Sequence, residues 1–306
     1  MQKKLTLAFD VEGTLLDKTG KLDLDVIDIF KKADKRQTTF ILLTGGSLSV
    51  AQDALRQINE AIGGVPIKAW IGANGGGLIY SPDGKNVKNE HFAESDIEDA
   101  LLYARAVDKN CIAMYATEKG NFVDCPDSIA NKVAMYFFKK HDAKKGSAGM
   151  KLQDIDIASF KNIDDLINEI GNINEMYFFT LSKDKKAEIH SKLAMLFGDN
   201  YSTYSEKYIS APAMNKWFAL KEIQKLDANL PQDVRDIIYF GDGENDIACL
   251  KWCNLSVARG EQATTIAKNS AKRRLNNLSA FADEIYGIEQ EKSKSFEQMK
   301  QCLQAR

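Results

Sequence analysis

The run Leu5-Thr6-Leu7-Ala8-Phe9 constrains the fold of this chain most. It is apolar with one β-branched polar residue and one aromatic, and charge bounds it on both sides. Such a run reads as a buried strand of a parallel sheet. It stops at Asp10, with Glu12 two positions on and Gly13 next, where a glycine allows a tight turn without steric cost. Two carboxylates therefore stand where a buried strand opens into a loop, the edge at which open α/β sheets bind ligands. Acids so placed can hold a divalent cation through oxygen, act as a nucleophile or shuttle a proton. An ordinary solvated turn uses the same residue types.

Three later stretches bear on the same chemistry. Residues 39–43 read as a second buried strand ending in Thr44-Gly45-Gly46-Ser47. A helix follows with Val50, Ala51, Ala54, Leu55, Ile58 and Ile62 on one face. A strand, a glycine turn and a helix N-terminus form an anion site, because backbone N–H groups point out of the turn. Thr44 adds a hydroxyl, and Ser47 suits the N-cap. Residues 237–240 read as another buried strand, running into Gly241-Asp242-Gly243-Glu244-Asn245-Asp246. Three carboxylates and an amide gather there in a spacing too tight for a calcium EF-hand loop. Between these strands, Asn215-Lys216 opens a helix with Trp217, Leu220, Ile223 and Leu226 on one face. A lysine in a first helical turn runs against the dipole preference. A further strand, 69–74, ends at Asn74 before three glycines, where Asn74 suits either a turn or contact with a ligand.

Residues 95–210 have a different rhythm. Helices are expected at 95–108, 128–140, 163–170 and 184–197, with strands near 111–116, 121–125, 154–158, 175–181, 201–205 and 207–211. Paired strands with short turns such as Lys119-Gly120-Asn121 predict a mixed or antiparallel sheet with helices on one side. The run 139–146 reads as a solvated loop, and the polar stretch 286–306 as an appended surface helix with a frayed end.

Formal net charge is −2, so nothing draws the whole chain toward nucleic acid or anionic lipid. The longest apolar runs are too short to cross a bilayer. The N-terminus leads directly into the first strand, without the pattern of a signal peptide, which predicts a cytoplasmic protein. Five cysteines with no Cys-x-x-Cys predict buried reduced thiols rather than disulfides or a zinc site.

Asp10-Val11-Glu12-Gly13-Thr14, Thr44 after its strand, Lys216, and Gly241-Asp242 with Asp246 occur in the order of the four motifs of the haloacid dehalogenase superfamily. The chain resembles the Cof-type branch (subfamily IIB), including the Asn74-Gly75 turn and all but about the last twenty residues. The resemblance implies a doubly wound parallel α/β sheet with an inserted α+β cap. It divides the chain into a core of residues 1–90 and 211–306 and a cap of residues 91–210.

It further implies a Mg2+-dependent phosphohydrolase acting on a small phosphorylated metabolite, with sugar phosphates the expected class. Asp10 would be the nucleophile, and Asp10, Glu12 through its main-chain carbonyl, and Asp242 would hold the metal, with Asp246 and Asn245 orienting ligands. Thr44, Gly45 and Lys216 would bind the phosphoryl group, and Asn74 the substrate. The family carries Asp where this chain has Glu12, so the proton donor reaches one methylene further. A phosphosugar mutase, or a phosphometabolite-binding protein with little turnover, would use the same residues. No nucleic-acid or membrane partner is expected.

Overall fold

The structure, a computed structural model, describes residues 5–33, 38–124, 152–155, 163–198, 203–204, 208–261 and 263–290. Two sheets organise them. The larger has eight strands in the order Arg273–Leu275, Leu255–Arg259, Ile238–Gly241, Leu5–Asp10, Thr38–Leu43, Ala69–Ala73, Leu78–Tyr80 and Asn86–Asn89. The first six run parallel. The last two turn back as an antiparallel hairpin. Strand Leu5–Asp10 lies between Ile238–Gly241 and Thr38–Leu43. Its carboxyl end therefore neighbours both the Asp242 turn and the Thr44 turn.

Helices cover both faces, which is why these strands read as continuous apolar runs. On one face Leu5, Leu7, Phe9, Phe40 and Leu42 pack with Ile29 and Phe30, with Ala51, Ala54 and Ile58, and with Phe281 and Ile285. The Phe9 and Phe240 rings stack at 4.5 Å between centroids. On the other face Ala8, Ile41, Leu43 and Tyr239 meet Trp217, Leu220 and Ile223 of helix Lys216–Leu226, together with Cys249 and Leu250. Alternate residues of each strand thus feed two cores, giving the doubly wound α/β architecture that the motif order implies.

The smaller sheet has the order Thr203–Tyr204, Ile209–Pro212, Ile173–Phe179, Ile112–Thr117, Gly120–Asp124 and Leu152–Ile155. All its pairs are antiparallel except the last. Helices Glu94–Val107, Ile163–Ile170 and Lys183–Phe197 bury Ile97, Ala100, Leu166, Ile170, Ile189 and Leu193 against one face. This is the mixed sheet with helices on one side that the middle of the chain predicts. The expected helix 128–140 and the 139–146 run lie outside the described residues.

Several details differ from the sequence expectation. Residues 86–89, where no strand is expected, form the edge strand of the larger sheet. The strand is short and mostly polar, held by its ladder to Leu78–Tyr80 and by Val87, which packs against the core. Strand Ile209–Pro212 carries the smaller sheet past position 210. The expected surface helix begins earlier, as Ser279–Gln290, and buries Phe281, Ala282, Ile285 and Tyr286 in the core; positions beyond 290 lie outside the described residues. Cys111, Cys249 and Cys253 are buried free thiols, as expected. No helix among the described residues is long and apolar enough to cross a membrane.

Candidate active site

Asp10 closes its strand with only 3% of its surface exposed. Its Oδ1 accepts from Lys216 Nζ, while its Oδ2 is buried with no hydrogen-bond partner. Lys216 is the first residue of its helix, set there by Asn215, whose side chain accepts from Phe218 N at the N-cap. The lysine is 1% exposed and also donates to Asp246 Oδ1 at 2.8 Å. Its unfavourable place in a first turn is offset by two carboxylates at its head.

Asp246 is wholly buried and nearly saturated. Its Oδ1 also accepts from the Tyr239 hydroxyl at 2.6 Å, and its Oδ2 accepts from the N–H groups of Asp242 and Gly243, each at 3.0 Å. Asp246 thereby fixes the turn that presents Asp242. The Asp242 carboxylate accepts from Thr14 Oγ1 at 3.2 Å. Gly13, at φ +86°, lies so close under that carboxylate that a Cβ there would collide with it. The Arg259 guanidinium, buried at the end of strand Leu255–Arg259, donates to the Thr14 carbonyl at 2.5 Å and pairs with Asp23, clamping this loop.

Asp10, Asp242 and Asp246 each offer a carboxylate oxygen within 4.8 Å of the others. Three carboxylates face one lysine, and the electrostatics reflect the excess. Burial, then the charge of Asp246, holds the Asp10 carboxyl well above the usual carboxylate range despite Lys216. Burial and Asp246 push Asp242 up to about 6. Burial works against the Lys216 charge, but Asp10 and Asp246 outweigh it and raise its pKa. An orphaned buried oxygen beside a second, half-buried carboxylate, with surplus negative charge, fits a hard divalent cation such as Mg2+.

Glu12 stands outside this cluster. Its Oε2 accepts from Thr44 Oγ1 at 2.5 Å, and Thr44 Oγ1 in turn accepts from Gly46 N at 2.7 Å. A Cβ at Gly46 would come within 2.6 Å of Glu12 Oε1, so glycine leaves the room that the longer acid fills. The carboxylate of Glu12 thus sits on the hydroxyl and glycine turn that the sequence assigns to an anion. Asn245 is exposed, with its Nδ2 3.2 Å from where a Gly45 Cβ would stand. Asn74 takes the left-handed conformation, φ +49°. Its side chain reaches the Thr117 carbonyl and Asn174 Oδ1 across the junction of the two sheets, both at 3.4 Å.

The sequence reading passed over Glu175 and Tyr177, which the smaller sheet brings to the site. The Tyr177 hydroxyl donates to the Gly45 carbonyl at 2.7 Å. Glu175 is buried, and burial pushes its carboxyl up to about 8. Their alternation along strand Ile173–Phe179 was the available signal, because an acid two residues before a tyrosine in an apolar strand marks a polar spot on one face.

The model of the haloacid dehalogenase-like hydrolases matches residues 7–288, so the chain belongs to that family. Among solved structures it is similar to the phosphatase BT1666 from Bacteroides thetaiotaomicron, at 20% identity and a TM-score of 0.68 over 93% of this chain and 96% of that one. It is also similar to the subclass IIB sugar phosphatase BT4131, at 15% identity and a TM-score of 0.67 over 93% and 100%. A haloacid dehalogenase-like hydrolase from B. subtilis gives 17% identity and a TM-score of 0.66 over 94% and 99%. No curated protein matches the sequence. The family, the core and the added cap-like unit all agree with the motif reading.

Proposed function

We propose that this hydrolase is a Mg2+-dependent phosphatase of small phosphorylated metabolites, with sugar phosphates the leading class. The observation that carries the proposal is Asp10: a buried carboxylate with one oxygen on Lys216 and the other unpartnered, beside Asp242 and facing the Thr44 turn across Glu12. The names of two structural neighbours, both phosphatases and one a sugar phosphatase, support the same class.

Asp10 and Asp242, with the main-chain carbonyl of Glu12, would hold the cation, and Asp246 and Asn245 would keep that shell in order. When bound, the metal supplies positive charge and orientation for a phosphate dianion that a carboxylate would otherwise repel. Asp10 attacks phosphorus, the bond to the ester oxygen breaks, and Glu12 gives that oxygen a proton. Thr44, the N–H groups of its glycine turn and Lys216 stabilise the equatorial oxygens. Water then attacks the aspartyl-phosphate, with Glu12 as base. Residues 91–210 serve as a cap that excludes bulk water from the intermediate.

Phosphate release from a panel of phosphometabolites, with Mg2+ and with excess chelator, tests the proposal. Release is expected only with the metal, and Asp242→Ala should abolish it at ordinary Mg2+ while raising the Mg2+ needed for half-maximal rate. Equal activity in chelator would refute the metal role. Phosphosugar isomerisation without phosphate release would instead indicate a mutase, and tight binding without turnover a binding protein.

Glu12 sets a second expectation. Its carboxylate occupies the Thr44 hydroxyl, so the incoming phosphoryl group must displace it. Glu12→Asp withdraws the acid by one methylene and is expected to lower KM and raise kcat/KM by about threefold to tenfold, as a phosphoryl site freed of a competing carboxylate requires. Glu12→Gln is expected to depress turnover of esters with poor leaving groups more than of aryl esters. Steady-state kinetics of the three proteins decide the matter. An unchanged rate for Glu12→Gln on a poor leaving group would remove Glu12 as the proton donor.

A further inference from the structure

The helices cover one face of the smaller sheet; the opposite face carries Ile112, Met114, Ala116, Val123 and Tyr177. The Tyr177 hydroxyl fastens this face to the glycine turn at the Gly45 carbonyl. Glu175, two residues earlier on the same strand, projects from the same face. It is 3% exposed, and its Oε2 has no hydrogen-bond partner. Its place is fixed by Gly75, whose absent Cβ would stand 3.3 Å from that oxygen. The Gly75 N–H donates to the Thr44 carbonyl at 3.1 Å. A buried carboxyl from the smaller sheet therefore stands one residue away from the turn assigned to the phosphoryl group.

A carboxyl kept for folding alone would have both oxygens satisfied, since an unpaired buried polar atom costs free energy. We propose that Glu175 recognises a hydroxyl group on the alcohol portion of the phosphate ester, and so selects polyol or sugar monophosphates. The inference rests on the phosphatase reading and assigns the side chain that would set its specificity. The charges around Glu175 favour a neutral ligand group. Lys216 and Glu12 act on Glu175 in opposite directions, Lys216 the more strongly, so no surplus of negative charge draws a cation there. Burial outweighs the Tyr177 and Ser210 hydroxyls and the Lys216 charge, leaving Glu175 mainly protonated at neutral pH. A protonated carboxyl offers one donor and remaining acceptor capacity, which matches a hydroxyl and gives no full charge to a cation. The Tyr177 and Tyr208 rings, 5.4 Å apart and edge to face, supply an apolar wall beside it for the C–H face of a sugar.

The test compares kcat/KM for hexose, pentose and glycerol monophosphates with that for 4-nitrophenyl phosphate, which has no alcohol hydroxyl to read. For the best hydroxyl-bearing ester, the ratio to the aryl ester is expected to fall about tenfold or more in Glu175→Met, the loss of one buried hydrogen bond. Glu175→Gln keeps a donor and an acceptor and should hold the ratio within about threefold of wild type. Should Glu175→Met not fold, Glu175→Asp carries the test, because the shortened acid should lower the same ratio. A ratio unchanged in Glu175→Met, or in Glu175→Asp, while wild type hydrolyses both esters would overturn the role of Glu175 and leave the phosphatase reading standing. Wild-type protein that hydrolyses neither ester would overturn both.

Discussion

Asp10→Asn is expected to lower phosphate release by roughly 10⁴- to 10⁶-fold, the scale of losing a nucleophile whose partners remain in place. The amide keeps the shape of the side chain and can still meet Lys216. It lacks the charge that attacks phosphorus and the oxygen that would meet a cation. Folding should not suffer. The wild-type site sets three carboxylates against one lysine, and burial already disfavours the Asp10 charge. Removing one carboxylate brings the cluster closer to balance, so the melting temperature without metal should stay level or rise. Measuring phosphate release and thermal unfolding on the same preparation separates lost chemistry from lost structure. Near-normal release from Asp10→Asn would remove Asp10 from the mechanism.

Lys216→Met should damage both activity and stability. Lys216 is 1% exposed and is the cation that meets Asp10 and Asp246 at the centre of the cluster. Taking one partner from a buried ion pair leaves uncompensated charge, at a cost of about 3–5 kcal/mol. Denaturant unfolding in chelator should report a loss of that size at neutral pH. The deficit should shrink as pH falls. The Asp10 and Asp242 carboxyls bind protons more tightly in the folded than in the unfolded chain, so acid favours the folded state where the lysine no longer balances them. Turnover should fall by about 10²- to 10³-fold, as for loss of a preorganised group on the transferring phosphoryl oxygens. Stability within about 0.5 kcal/mol of wild type at neutral pH would contradict the buried triad as described.

What the sequence made legible was where the buried strands end and which residues stand there. A fully buried strand carries few polar side chains, so the charged or hydroxyl residue that ends each run marks a carboxyl edge. Asp10, Thr44 and Asp242 stand at such edges, and the parallel order of their strands brings them together. Lys216 was legible as an oddity, a cation in a first helical turn. The destination of the longer Glu12 side chain was not, because its contact with Thr44 depends on room left by a glycine 34 positions away. Asn74 could be placed at a turn, but the reach of its amide to Thr117 and Asn174 depends on how the two sheets meet. Glu175 and Tyr177 lay hidden in an apolar strand, since alternation gives faces without saying which face meets the site. The Leu78–Tyr80 and Asn86–Asn89 strands were too short to show a pattern, and the second is mostly polar. The helix Ser279–Gln290 was obscured by the charged residues that follow it.

The stereochemical course at phosphorus tests the central proposal most directly. Each in-line displacement inverts phosphorus, so attack by Asp10 followed by attack by water must return overall retention. Wild-type protein acting on an isotopically chiral phosphate ester in labelled water, with Mg2+, is predicted to release phosphate of retained configuration. Inversion would mean that water attacks the ester directly, and would contradict Asp10 as the nucleophile.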